Sequence, residues 1–259
     1  MNTLERFAKA KNSGQLLIVA ALAIALIIAT TTAYVYEVSR EKPSTTQGYP
    51  TADLVLATKQ GSRNAMISAL ANASSGGEKT VLASNLESLA QAYKSLNAHG
   101  LYYLSYTVLN DSHYVDGVRL SWEETNGLGI SSAYANFTLK FYGLTEKTTL
   151  SYTINITTTV TLKGHYTPLS DSEKVVNLTC QVFNEGKPAL AKNITVYYKV
   201  DGSWVPANSS NNLSITDYGN GVYVISFTIS TDSDLVQVSV NAYDLRGIFV
   251  KANTTCNQV

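Results

Sequence analysis

Two cysteines, two methionines, two tryptophans, three histidines and five prolines are few for 259 residues, and each scarcity excludes something. Two cysteines cannot make a disulfide-dense scaffold or a cysteine-rich metal cluster. His99, His113 and His165 lie far apart, without an HExxH or other paired ligand spacing, and read as loop residues rather than a metal centre. Charge is scarce too. Lysine plus arginine and aspartate plus glutamate number 19 each, 15% of the chain together, against roughly 25% in an average soluble protein. With net charge zero and no basic or acidic block, nucleic acid is excluded as a partner. Neither a GxSxG elbow nor a GxxxxGK[ST] phosphate loop occurs. Glu123 and Glu124 are adjacent, so on a strand they face opposite ways. Asp232 and Asp234 share a face but lack the further oxygen ligands that calcium needs, and read as a solvated loop. No enzyme, cofactor or metal is expected.

What is present begins at the N-terminus. No charged side chain occurs between Lys11 and Glu37, and Leu16–Ala29 is wholly apolar. As a helix, residues 15–36 rise about 33 Å, enough for a hydrocarbon core of about 30 Å. Tyr34 and Tyr36 fall at the far interface. Arg6, Lys9 and Lys11 precede the span, whereas Glu37, Arg40, Glu41 and Lys42 cancel after it. The bias puts residues 1–14 in the cytoplasm and the C-terminal bulk outside, with the lipid bilayer as a partner. Cleavage after Ala33, as in a secretory peptide, is the competing reading, but Thr31-Thr32-Ala33 is a poor small-residue site. Either reading sends the remainder across the membrane.

The basic leader and Ser13-Gly14-Gln15 running into an apolar helix resemble the class III leader of archaeal pilin-like proteins. That resemblance covers about thirty residues and implies cleavage between Gly14 and Gln15. The position before Gly14 is Ser13 rather than a basic residue, and Val19 stands where bacterial type IV pilins carry Glu.

Residues 42–50 form a linker in which Pro43, Gly48 and Pro50 stop a helix leaving the bilayer. Residues 51–100 read as a helical hairpin turned by Ser74–Gly77. Leu82, Leu86, Leu89, Tyr93 and Leu96 make one stripe of its second helix, with Ser75 and Glu78 at capping-box spacing and Gly100 as the C-terminal cap. Val55, Met66, Ala69 and Leu70 mark the first helix less regularly. Two heptads are too few for a coiled coil, so the stripe is expected to pack on the β region.

From Leu101 the period becomes two. Leu150, Tyr152, Ile154, Ile156, Val160 and Leu162 alternate with Ser, Thr and Asn, the pattern of an antiparallel sheet over a core. Similar alternation marks 136–141, 176–182, 194–200, 223–229, 236–242 and 248–256, with Asp116-Gly117, Asp201-Gly202 and Asn220-Gly221 as hairpin turns. Tyr166–Ser172 reads as a seam between a β-rich domain (101–168) and a β-sandwich domain (172–259). The expected fold is mainly β: a transmembrane helix, a short αα-hairpin, then antiparallel β-sandwich.

Nine Asn-x-Ser/Thr sequons occur, at Asn72, Asn110, Asn136, Asn155, Asn177, Asn193, Asn208, Asn212 and Asn253. Chance gives roughly four, so glycosylation is expected. Asn136, Asn155, Asn177, Asn193 and Asn253 fall on the polar face of their strands, the face a glycan requires. Cys180 and Cys256 fall on the apolar phase of theirs, and outside the cell a disulfide between them is expected.

Val176-x-Leu178-Thr179-Cys180, Asn193–Tyr198 and Ile215–Tyr223 resemble the strands and turns of extracellular immunoglobulin-like domains of the invasin type. The resemblance covers about a third of the chain and implies spacing or adhesion. Trp204 lies between the cysteines, but Cys256 falls at the chain's end and no Tyr stands two before it. Three functions follow as expectations: an anchored structural or adhesive surface protein, a pilin-like filament subunit, or a tethered ligand-binding ectodomain. Their partners are other cell-surface proteins, glycans or copies of the chain itself.

Overall fold

The computed structural model describes residues 52–96, 102–142 and 147–259, all within one compact unit. The leader, the apolar span and the linker lie outside the described residues, as does Gly100. Among the described residues no helix is long and apolar enough to cross a membrane. The fold is mainly β: two helices precede twelve strands in one hydrogen-bonded network, mixed but mostly antiparallel.

Helix α1 (Ala52–Ser74) buries Thr58, Ser62, Met66, Ala69, Leu70 and Ala73 along one stripe. Two of these are hydroxyl residues, which is why the stripe is faint in sequence. Thr58 satisfies its hydroxyl on the Leu54 carbonyl (2.7 Å), and Ser62 shares a hydrogen bond with the Tyr152 hydroxyl (3.0 Å). Gly76, at φ +102°, ends the helix, with Gly77 N–H donating to the Asn72 carbonyl. Helix α2 (Val81–Leu96) packs Leu82 and Leu86 against α1 and the sheet. It starts later than the Ser75–Glu78 spacing suggests. Ser75 N–H bonds back to the Ala71 and Asn72 carbonyls and belongs to the turn out of α1.

The strands are β1 (Tyr102–Val108), β2 (Val118–Ser121), β3 (Leu128–Tyr142), β4 (Lys147–Pro168), β5 (Glu173–Asn184), β6 (Lys187–Pro188), β7 (Ala191–Val200), β8 (Ser203–Pro206), β9 (Ser214–Asp217), β10 (Val222–Ser230), β11 (Val236–Asp244) and β12 (Phe249–Gln258). The 22-residue β4 organises them. Its residues 147–161 pair with β3 and its residues 158–168 with β5. The strand order then runs β4-β5-β10-β9 on one side and β8-β7-β11-β12 on the other, with β12 meeting the end of β4 in parallel at Asn257–His165.

Two cores lie along β4. Ile156 belongs to the first, with the helices, β1, β2 and β3. Val160 and Leu162 belong to the second, where Leu178, Phe227 and Ile225 meet Val238, Val240 and Val250 from the other strand set. The change of core therefore falls near Thr158. The sequence seam at Tyr166–Ser172 is a tight hairpin turn from β4 into β5, closed by Leu169 N–H on the Glu173 carbonyl (2.7 Å).

Candidate functional site

The outer face of β1, β3 and β4 carries two of the nine sugar-acceptor candidates, Asn136 and Asn155. Cross-strand rows there read Thr107–Asn136–Thr153 and Ser105–Thr138–Ser151, followed by Tyr134–Asn155 and Ser132–Thr157. This face is wet because the opposite phase of the same strands fills the first core. Thr153 Oγ1 donates to Asn136 Oδ1 (2.7 Å), and Ser132 Oγ donates to Asn155 Oδ1 (2.9 Å). Both asparagines thus use the amide oxygen to fix their orientation and leave Nδ2, the glycan-bearing atom, unengaged. Asn208 likewise accepts from Ser210 N–H through Oδ1 (2.9 Å). Asn72, Asn110, Asn193 and Asn212 are exposed, and Asn177 is half-buried.

Asn253 is a correction. It is buried, and its Nδ2 donates to the Trp122 carbonyl (2.7 Å). The strand phase is the expected one, but residues 122–127 run along β12. Gly127 N–H donates to the Asn253 carbonyl (2.8 Å), and the Trp122 ring packs edge-on against Phe249 at 5.0 Å. A long-range covering of this kind leaves no local trace in sequence.

Cys180 and Cys256 are both buried in the second core and stand as free thiols. Cys180 pairs with Leu162 across β4 and β5, and the Cys256 sulfur packs beside Gly164. Burial pushes both thiols up to about 12. A neutral thiol with a raised pKa stabilises the fold fully below the unfolded thiol range, and loses that contribution as pH rises toward the folded value. The native protein is therefore expected to resist alkylation at neutral pH, to label at both residues once unfolded, and to lose stability in alkali above about pH 9. Absence of labelling after unfolding without reductant would contradict the free pair.

Beneath this, one ionic cluster joins the two cores. Asp244, fully buried in the turn from β11 to β12, accepts from Arg246 Nε (2.7 Å), Arg246 N–H (2.8 Å), Ile248 N–H (3.0 Å) and Thr158 Oγ1 (2.9 Å). Arg246 also donates to Glu185 (2.7 Å), which in turn holds Arg63 of α1 (3.1 Å). Only the Asp-Leu-Arg-Gly turn sequence at 244–247 could have hinted at it. Glu185 itself sits at φ +48° before Gly186 at φ +77°, in a turn resembling the Asp-Gly turns but without their sequence signature.

Of the remaining candidates, His99 lies outside the described residues. His113 sits in an exposed turn sharing a hydrogen bond with Ser112 (3.0 Å), and His165 pairs across the strands with Asn177. Among the described residues no group of three or more His, Cys, Asp or Glu converges as metal ligands. No protein-family model matches the chain, and no curated protein is significantly similar to it.

Proposed function

We propose that this chain is a non-enzymatic cell-surface protein, held by its N-terminal apolar span, with a folded unit that stands outside the membrane in a structural or adhesive role. The observation that carries the reading is the placement of the sequons. Eight of the nine lie at exposed or half-buried positions, and none of those eight uses Nδ2 in a side-chain hydrogen bond. Sequons in excess of chance, on folded surfaces, suit a chain that meets a glycosylation machinery outside the cytoplasm. The strand orders β4-β5-β10-β9 and β8-β7-β11-β12 support an immunoglobulin-like β-sandwich for the C-terminal part, since that fold sets four strands against the C, F and G strands in the same sequence of pairings. Such a unit serves as a rigid spacer or contact module.

The pilin-like leader at Gly14–Gln15 is compatible with an anchor and with a filament subunit alike. Pro43, Gly48 and Pro50 favour the anchor, because a filament stem needs a continuous helix. After shearing of cells, the protein is expected to stay with the membrane fraction and to dissolve in mild detergent. Long sheared filaments built mainly from this chain would establish the pilin reading instead.

A further inference from the structure

The outer face of β7, β8, β11 and β12 holds an arrangement that anchoring and spacing do not require. Three buried side-chain atoms, Ser239 Oγ, Asn241 Oδ1 and Asn253 Oδ1, have no hydrogen-bond partner in the protein. They are neighbours. Ser239 pairs directly with Asn253 across β11 and β12, and Asn241 is the next residue on the same face of β11. Asn253 is oriented by its bond to the Trp122 carbonyl, so its free oxygen is fixed as an acceptor. Above them, Lys251 reaches from β12 across β11 and β7 to place Nζ 5.6 Å from the Trp204 ring of β8. Lys199, the cross-strand partner of Trp204, approaches the same ring at 5.8 Å. The lysine stem thus crosses this face toward the indole, beside the residues 122–127 that cover Asn253, while Trp204 remains 39% exposed.

Each orphaned buried polar atom costs about 1–3 kcal/mol, and native folds keep few of them. Three of the four such atoms found among the described residues share this one face. Their chemistry selects a ligand. The fixed amide oxygen of Asn253 needs a donor, which a phosphate or carboxylate lacks. Two lysine ammonium groups overhead disfavour a metal cation. Hydroxyl groups both donate and accept, and the apolar face of a sugar ring stacks on indole. We propose that this face binds neutral carbohydrate: Lys251 swings off Trp204, a sugar ring takes its place on the indole, and its hydroxyls donate to Asn241 and Asn253 and pair with Ser239. The proposal deepens the adhesive reading and names its target class.

The test is affinity electrophoresis of the detergent-solubilised full chain through gels carrying mannan, dextran or laminarin, with a polyphosphate gel as the anion comparison. Retardation is expected in at least one neutral polysaccharide and not in polyphosphate, and Trp204→Ala should weaken it about tenfold. Ser239→Ala should also weaken it, while leaving the melting temperature unchanged or higher, because it removes an orphaned polar group. A lowered melting temperature in Ser239→Ala would assign the row a purely structural role and overturn the proposal. So would absence of retardation in all three polysaccharides, or retardation that neither variant changes. Asn241→Ala provides the same comparison should Trp204→Ala fail to fold. Loss of sugar binding leaves the surface location intact, since labelling of intact cells reads that separately.

Discussion

Replacing Arg246 by alanine is expected to lower stability by about 3–5 kcal/mol, the usual loss when a buried ion pair is left with one partner. Asp244 has no exposed surface and would keep three neutral donors but no counter-charge. In a unit of this size, each kcal/mol moves the melting temperature by roughly 2–4 °C, so a fall of about 6–20 °C should appear in a thermal scan. Arg63→Ala is the contrast. Its side chain is 39% exposed and touches the same Glu185, so the change should be under about 1 kcal/mol. The cluster also sets an acid limit. Burial alone raises Glu185, but the hydrogen bond from Arg246, the Thr157 N–H bond and the guanidinium charges outweigh it and hold the carboxyl below its ordinary range. A lowered carboxylate pKa contributes its stability above the unfolded value and loses it as pH falls through the folded one. Arg246→Ala should therefore flatten the acid limb of the stability curve as well as lower its plateau. A melting point within 2 °C or so of the parent would contradict the role given to Arg246.

Gly127→Ala carries the second large effect. Gly127 sits at φ +79°, donates to the Asn253 carbonyl (2.8 Å) and accepts from Leu162 N–H (2.7 Å), so it wedges between β12 and β4. A methyl group there would lie 2.1 Å from the Leu162 carbonyl oxygen, a backbone atom in the middle of a strand that cannot turn aside. Left-handed strain of about 1–2 kcal/mol adds to overpacking of about 1–3 kcal/mol, for a total of about 3 kcal/mol or more. Gly202→Ala separates the two terms. It has φ +83° but nothing within 4 Å of a new Cβ, so it should show the strain alone. Urea midpoints for the pair measure the difference, and equal midpoints would mean that Gly127 is not wedged against the Leu162 carbonyl between β12 and β4.

Sequence made some of this fold legible and hid the rest for identifiable reasons. The alternation from Leu150 to Leu162 announced β4 because every second residue faces a core. Thr158 interrupts the apolar phase, but the sequence could not announce that the core changes there, since its partner Asp244 is brought to it only by the fold. The first half of β3 was invisible because Gly129 and Ser131 stand where apolar residues are expected. Gly129 lets the Lys251 carbonyl approach, while Ser131 donates to the Phe249 carbonyl and Ser132 joins the polar rows outside. The sequon phase identified Asn136, Asn155 and Asn193 correctly as exposed, and failed at Asn253 where another segment covers the strand. The in-phase cysteines did reach one core, as their alternation indicated. Local periodicity reports which face is dry. It does not report what dries it.

The most direct test of the surface reading is the lysine labelling of intact cells with a membrane-impermeant amine reagent. Lys187 and Lys192 are exposed on the folded unit, whereas Lys174 is only 4% exposed, with its ammonium donating to the Ser233 carbonyl. A folded unit outside the membrane gives label on Lys187 and Lys192 without lysis, and Lys174 stays unlabelled until the protein is unfolded. Label appearing on Lys187 and Lys192 only after the cells are broken would place the unit inside and contradict the surface assignment.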